Sequence, residues 1–267
     1  MYKSTIYSGG ICEKPVSERS YQRIYDQANG ICWRPSTSGK NYPLSEVFEA
    51  SKEGQSWSRE RLHRIVNDDI RDLENLREYS NIETLAETIP SRVASPLSIQ
   101  SLAEDLEVNF RTAERWLQIL EKVYFCYRIL PFGAPKVRAV KKEKKVYLWD
   151  WSSCETDGAR FENFVASHLL KYGHFLEDTE GEVMELRFLR DHEKREIDFV
   201  VIKNGKPLFG VECKAGERTL SPHVRYFRER TSIPFFYQVH LGSKDFYAEK
   251  NVRILPFLTF CSEIGLV

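Results

Sequence analysis

The chain has 267 residues, room for one large or two modest domains at roughly 100–200 residues each. Its 42% apolar content can build a real core, which excludes a disordered chain. The 39 basic and 39 acidic side chains cancel, so only a local basic patch, not the overall charge, could recruit nucleic acid.

Residues 8–56 are rich in Ser, Gly, Pro and Asn, show no sustained period, and read as irregular. From Trp57 to Leu76, the spacing of Leu62, Ile65, Val66, Ile70, Leu73 and Leu76 predicts an amphipathic helix. A second helix follows through Ile82, Leu85, Ala86 and Ile89, with Pro90 as its breaker or as the start of the next segment. Residues 98–122 read as a helix-turn-helix. Ser98 caps Ile99–Leu106, Glu107-Val108-Asn109 makes the turn, and Thr112–Leu120 turns Ala113, Trp116, Leu117 and Leu120 inward. Val123–Leu130 and Val146–Trp151 are strand-like and flank a basic run, Lys136, Arg138, Lys141, Lys142, Lys144 and Lys145, at a wing or loop.

Two readings of this winged-helix pattern stay open. In one, Arg111 and Arg115 on the second helix and Lys136, Arg138, Lys141 and Lys142 in the wing touch DNA phosphates. In the other, the unit is a rigid connector and the lysines are solvated surface.

The remaining residues alternate helix and strand. Asp157–Lys171 is a helix with Phe161, Phe164, Val165, Leu169 and Leu170 inward. Strands follow at Glu185–Leu189, Arg195–Lys203 and Pro207–Lys214, the last two joined by an Asn204-Gly205 hairpin turn. A helix over Leu220–Glu229, a buried strand over Phe235–Leu241 and a further one at Arg253–Leu255 complete an α/β (α+β) pattern. Three parts result: an irregular segment 1–56, a helical and winged-helix region 57–151, and a mixed-sheet domain 152–267.

The hairpin carries candidate chemistry. Period two places Ile197, Phe199 and Val201 on one strand face and Asp198 and Val200 on the other. On the returning strand Glu212 and Lys214 share a face, so an in-register hairpin brings Asp198, Glu212 and Lys214 together. Two carboxylates offer oxygens to a hard cation such as Mg²⁺ or Mn²⁺, and a lysine can orient water or stabilise phosphate charge. Glu162, on the preceding helix, is a fourth candidate and a third carboxylate for the metal. Alternating Asp, Glu and Lys also describe an ordinary exposed antiparallel face. Against that stand the apolar opposite face, the Ile197 and Phe199 flanks of Asp198, and the helix carrying Glu162 just upstream.

Asp198 followed by Glu212-Cys213-Lys214 also resembles the PD-(D/E)XK nuclease motif. The stretch from about Trp57 to Glu217 resembles the C-terminal portion of a prokaryotic AAA+ ATPase family. The resemblance is carried by Asn67–Leu73, Ser95–Ser98, Trp116–Glu121, Arg160–Asn163, Glu196–Phe199 and Val211–Lys214. It implies a winged helix followed by a restriction-endonuclease-like domain, with Glu162, Asp198, Glu212 and Lys214 at the nuclease-type positions. In most members of that family this last domain has no established function. The family's P-loop module is not matched. No G-x-x-x-x-G-K-[ST] occurs, Ser38-Gly39-Lys40-Asn41 is a poor echo, and no Walker B strand is present, so ATP is not expected as a ligand. Either a truncated gene or a free-standing variant would give this arrangement.

The six cysteines, Cys12, Cys32, Cys126, Cys154, Cys213 and Cys261, are scattered without a C-x-x-C pair and read as buried reduced thiols rather than zinc ligands. His63, His168, His174, His192, His223 and His240 pair with no nucleophile and read as structural or surface residues. Trp116, Trp149 and Trp151 read as packing. No signal peptide or membrane span is evident, which places the expected chain in the cytoplasm without a membrane partner. Three functions compete: a metal-dependent DNA endonuclease, a non-catalytic DNA- or protein-binding module, and a degenerate remnant that self-associates. An apolar patch along residues 57–90 would favour a homodimer or another partner.

Overall fold

The computed structural model describes residues 79–133, 143–216 and 219–266. The expected helix over 57–76, the irregular segment 8–56, and Lys136, Arg138, Lys141 and Lys142 lie outside the described residues.

Helix α1 (Tyr79–Arg92) buries Ile82, Leu85, Ala86 and Ile89 along one stripe. Pro90 does not break it but sits in its last turn, with two residues to follow. Strand β1 (Pro96–Leu97) was not anticipated. Helix α2 (Ile99–Asp105) starts where expected, because the Ser98 hydroxyl accepts the Ser101 N–H at 3.2 Å. The chain then turns through Glu107 at φ 53°, and Asn109 caps α3 (Phe110–Lys122) by accepting the Thr112 N–H at 3.0 Å. Ala113, Trp116, Leu117 and Leu120 point into the core as the periodicity predicts, joined by Ile119.

Strands β2 (Cys126–Pro131) and β3 (Lys144–Leu148) pair antiparallel, and β1 adds to the far side of β3. The strand expected to reach Trp151 stops at Leu148, and Trp151 opens a short 3-10 turn. Helix α4 (Asp157–Glu180) is longer than Asp157–Lys171. Past Lys171 it buries Tyr172 and Leu176, whereas Leu170 is only half-buried, and it ends at Gly181 with φ 69°.

The meander β4 (Met184–Arg190), β5 (Glu196–Lys203) and β6 (Lys206–Lys214) follows. Asn204 and Gly205 both have positive φ, as the two-residue hairpin turn requires. Helix α5 (Pro222–Arg230), capped by Ser221, leads to β7 (Phe236–His240), which runs parallel to β6. Strand β8 (Phe246–Glu249) and helix α6 (Phe257–Ile264) were not foreseen, and β9 (Val252–Pro256) extends the expected Arg253–Leu255.

The strands form one mixed nine-stranded sheet in the order β1-β3-β2-β4-β5-β6-β7-β9-β8. The fold class is α+β. The parallel pairs Leu130↔Arg187 and Pro131↔Phe188 join the three-stranded N-terminal part to the meander. Strand β3 is thereby held near α4, and that nearness builds the site.

Candidate metal centre

The β5–β6 ladder runs from Phe199↔Val211 to Lys203↔Lys206 at the turn, with a register shift between Val201 and Ile202. One residue beyond the Phe199 end, the Cys213 N–H is taken by the Asp198 carboxylate, whose Oδ2 accepts it at 2.7 Å. Asp198 is thus fixed against the backbone that follows Glu212. The expected strict alternation fails at this point. Ile197 packs with Val200 and Ile202 against Val224 and Phe227 of α5, while the Phe199 ring meets Tyr147 at 5.6 Å. A β-bulge against β4 is the reason: Arg187 pairs with Val200 but Leu189 with Ile197, so β5 holds one extra residue there, which a period-two reading cannot anticipate.

Glu212 is buried at the middle of the sheet, and Lys214 Nζ donates to its Oε1 at 2.7 Å. Its Oε2 is buried with no hydrogen-bond partner. Burial pushes the Glu212 carboxyl up to about 8, the Asp198 charge adds to the rise, and Lys214 and Ser221 oppose it. The Asp198 carboxyl is also raised, by burial first, against the pull of Lys145 and the Cys213 N–H.

Glu162 lies one turn into α4, whose N-cap is Thr156. Its Oε1 accepts from Lys145 Nζ at 2.9 Å and from the Tyr147 hydroxyl at 2.8 Å. Burial and the Asp198 charge hold its carboxyl at about 7 despite Lys145. The neighbouring Asn163 sets this turn of helix against β3. It accepts the Leu148 N–H and donates to the Leu148 carbonyl, both at 2.7 Å.

Sequence reasoning missed two residues. Lys145, read as part of a basic wing or loop, is fully buried on β3. Its ammonium pairs with Glu162, contacts Glu196 and lies 3.9 Å from Asp198. Burial disfavours the charge, but the three carboxylates outweigh it and hold the lysine above its ordinary range. Glu196, the second residue missed, also takes Arg190 at 2.6 Å. Its signal was present in the Arg195-Glu196-Ile197-Asp198 run, two residues before Asp198.

Ligand oxygens of Glu162, Glu196 and Asp198 lie within 4.8 Å of one another, a spacing that could hold a metal ion. Four carboxylates, Glu162, Glu196, Asp198 and Glu212, share three cations, Lys145, Lys214 and Arg190. The surplus acid and the unpartnered Glu212 oxygen fit a hard divalent cation, which takes carboxylate oxygens and lacks a stringent need for nitrogen or sulfur.

On α3, Arg111 and Arg115 are exposed, while Glu114 is drawn inward by Arg128, which also binds Glu121. His168 packs between Phe164 and Phe257, donates to the Phe164 carbonyl at 2.8 Å, and burial pushes it down to about 4. Cys126, Cys154, Cys213 and Cys261 are buried and form no disulfide. Among the described residues, no helix is long and apolar enough to cross a membrane.

Residues 42–155 are similar to a domain of unknown function, DUF8612, and residues 157–260 to another, DUF4143. The second is a domain known from AAA-ATPase-associated proteins. No curated protein and no solved structure matches the chain.

Proposed function

We propose that this chain is a metal-dependent phosphodiesterase of the PD-(D/E)XK type, acting on DNA as an endonuclease. The observation that carries the reading is the meeting of Asp198, Glu212 and Lys214 at one point of the sheet, with a buried Glu212 oxygen left unpartnered. Asp198 and Glu212 would hold Mg²⁺ or Mn²⁺. Glu162 has Oε1 committed to Lys145 and Tyr147 and contributes at most its other oxygen. When bound, such an ion acidifies water and polarises a phosphoryl oxygen.

The chain's own residues do the rest. The Cys213 N–H fixes the Asp198 carboxylate, so it would receive the ion without reorganising. Lys214, about a third exposed, can turn its ammonium from Glu212 to a phosphate oxygen or to the attacking water. The helix-turn-helix offers Arg111 and Arg115 to DNA phosphates, with Lys136, Arg138, Lys141 and Lys142 as further contacts. In this reading the chain is the C-terminal part of an AAA+ ATPase-type protein and works in the cytoplasm.

One observation favours a second reading, a non-catalytic DNA- or protein-binding module: the Lys145 ammonium already neutralises part of the carboxylate cluster. Cleavage of plasmid and single-stranded DNA with Mg²⁺ or Mn²⁺ separates the two. The nuclease reading expects cutting by the wild type that Asp198→Ala and Lys214→Ala abolish. A folded wild type that binds metal and DNA yet cuts neither substrate supports the module.

A further inference from the structure

The triangle of Glu162, Glu196 and Asp198 has the spacing of a cation site, and it already contains a cation. Lys145 Nζ reaches Glu162 Oε1 at 2.9 Å and Glu196 Oε1 more closely, and stands 3.9 Å from Asp198 Oδ1. A divalent ion sits about 2.0–2.6 Å from its carboxylate oxygens, so an ion and an ammonium cannot share this hollow.

Lys145 also has nowhere to withdraw. Its backbone is paired on both sides, with Pro96 of β1 and Ile129 of β2. Its side chain is fully buried, with the Phe188 ring centroid 5.6 Å from the ammonium. Three carboxylates face the ammonium. The unpartnered Glu212 Oε2 is on a different strand from this triangle's lysine and bonds to none of its members. It is the second observation pointing to a ligand, and it places that ligand on the Asp198–Glu212 edge.

We infer that Lys145 is a built-in counter-ion that occupies one of two adjacent cation positions and limits the site to a single divalent ion, held by Asp198 and Glu212. Two-metal phosphodiesterases place their ions about 3.5–4 Å apart. Here the second position belongs to a residue of β3, so the strand that continues from the helix-turn-helix sets the metal count of the site. The inference deepens the proposed function and rests on its metal-binding part.

The test is a Mn²⁺ titration of the full chain, with bound ions counted by calorimetry and by the electron paramagnetic resonance of free Mn²⁺. The wild type should bind one ion per chain and Glu212→Gln none. Lys145→Met should bind two, because its three carboxylates are then open. A folded Glu196→Gln, which keeps the central lysine, should still bind one, with affinity within about two-fold of wild type. Two ions on the wild type, one ion on a folded Lys145→Met, or loss of the ion in Glu196→Gln would each overturn the inference while leaving a metal site in place. No ion on the wild type would remove the metal reading itself, and the inference with it.

Discussion

Replacing Lys145 by Met keeps the volume and removes the charge at the centre of the cluster. Three carboxylates lose their shared partner: Glu162 at 2.9 Å, Glu196, and Asp198 at 3.9 Å. Breaking a buried ion pair by deleting one member costs about 3–5 kcal/mol, because the remaining charge stays desolvated. The cost depends on pH in a defined direction. Without the lysine, the Glu162 and Asp198 carboxyls, already raised by burial, are raised further above their unfolded values, so the folded variant binds protons that the unfolded chain does not. Its stability is therefore fullest below about pH 4.5 and falls as pH rises through the folded values. Urea denaturation of wild type and variant at pH 5.5 and pH 8, without divalent metal, reads this directly. The variant should lose about 3–5 kcal/mol at pH 8 and clearly less at pH 5.5. Adding Glu162→Gln and Glu196→Gln should restore much of the loss at pH 8. A loss that is equal at both pH values, or below about 1 kcal/mol at pH 8, would refute the view that Lys145 neutralises this cluster.

The metal-free wild type has its own pH dependence. Glu162 near 7 and Glu212 near 8 are raised above the ordinary carboxyl value of 4.5, so stability should fall as pH climbs from about 4.5 to 8. Thermal melts across that range should show the fall, and Mg²⁺ should flatten it; a melting temperature that rises with pH would contradict the site's electrostatics. Asn163→Ala strips two hydrogen bonds from Leu148 and should cost about 2–4 kcal/mol in urea denaturation. A loss below about 0.5 kcal/mol would mean that α4 does not depend on this clamp. Gly210→Ala would set a Cβ 2.8 Å and 2.9 Å from two ring atoms of the fully buried Phe236. Overpacking there should cost about 1–3 kcal/mol, and Phe236→Leu in the same chain should relieve part of it, both measured by thermal melts.

Much of this architecture could be read residue by residue. The 3.6-residue spacing of Ala113, Trp116, Leu117 and Leu120 and the Asn109 turn located α3, because local caps and apolar stripes are sequence-local signals. The Asn204-Gly205 turn located the hairpin, but the register shift between Val201 and Ile202 is what brings Asp198 towards Glu212 rather than Val211. What escaped is non-local. Lys145 belongs to a lysine-rich run, and only Glu162, Glu196 and Asp198, folded back from later elements, make its burial tolerable. The alternation of β5 breaks at a bulge against β4, and Asp198 takes a backbone N–H from Cys213 on the other neighbouring strand, neither of which the strand's own sequence encodes. Phe257, Phe260 and Cys261 have helical spacing but over barely two turns, and Phe257 joins the core by packing on Phe164 at 4.8 Å. β1 and β8, at two and four residues, are too short to carry a pattern.

The central claim is that Asp198 and Glu212 hold a divalent ion for phosphodiester cleavage. Its most direct test is the single-turnover cleavage rate of supercoiled plasmid as a function of Mg²⁺, for wild type, Asp198→Asn and Glu212→Gln. The account predicts metal-dependent cutting by the wild type and a loss of about 100-fold or more in each folded variant. Cutting without metal, or at wild-type rate in either variant, would contradict it.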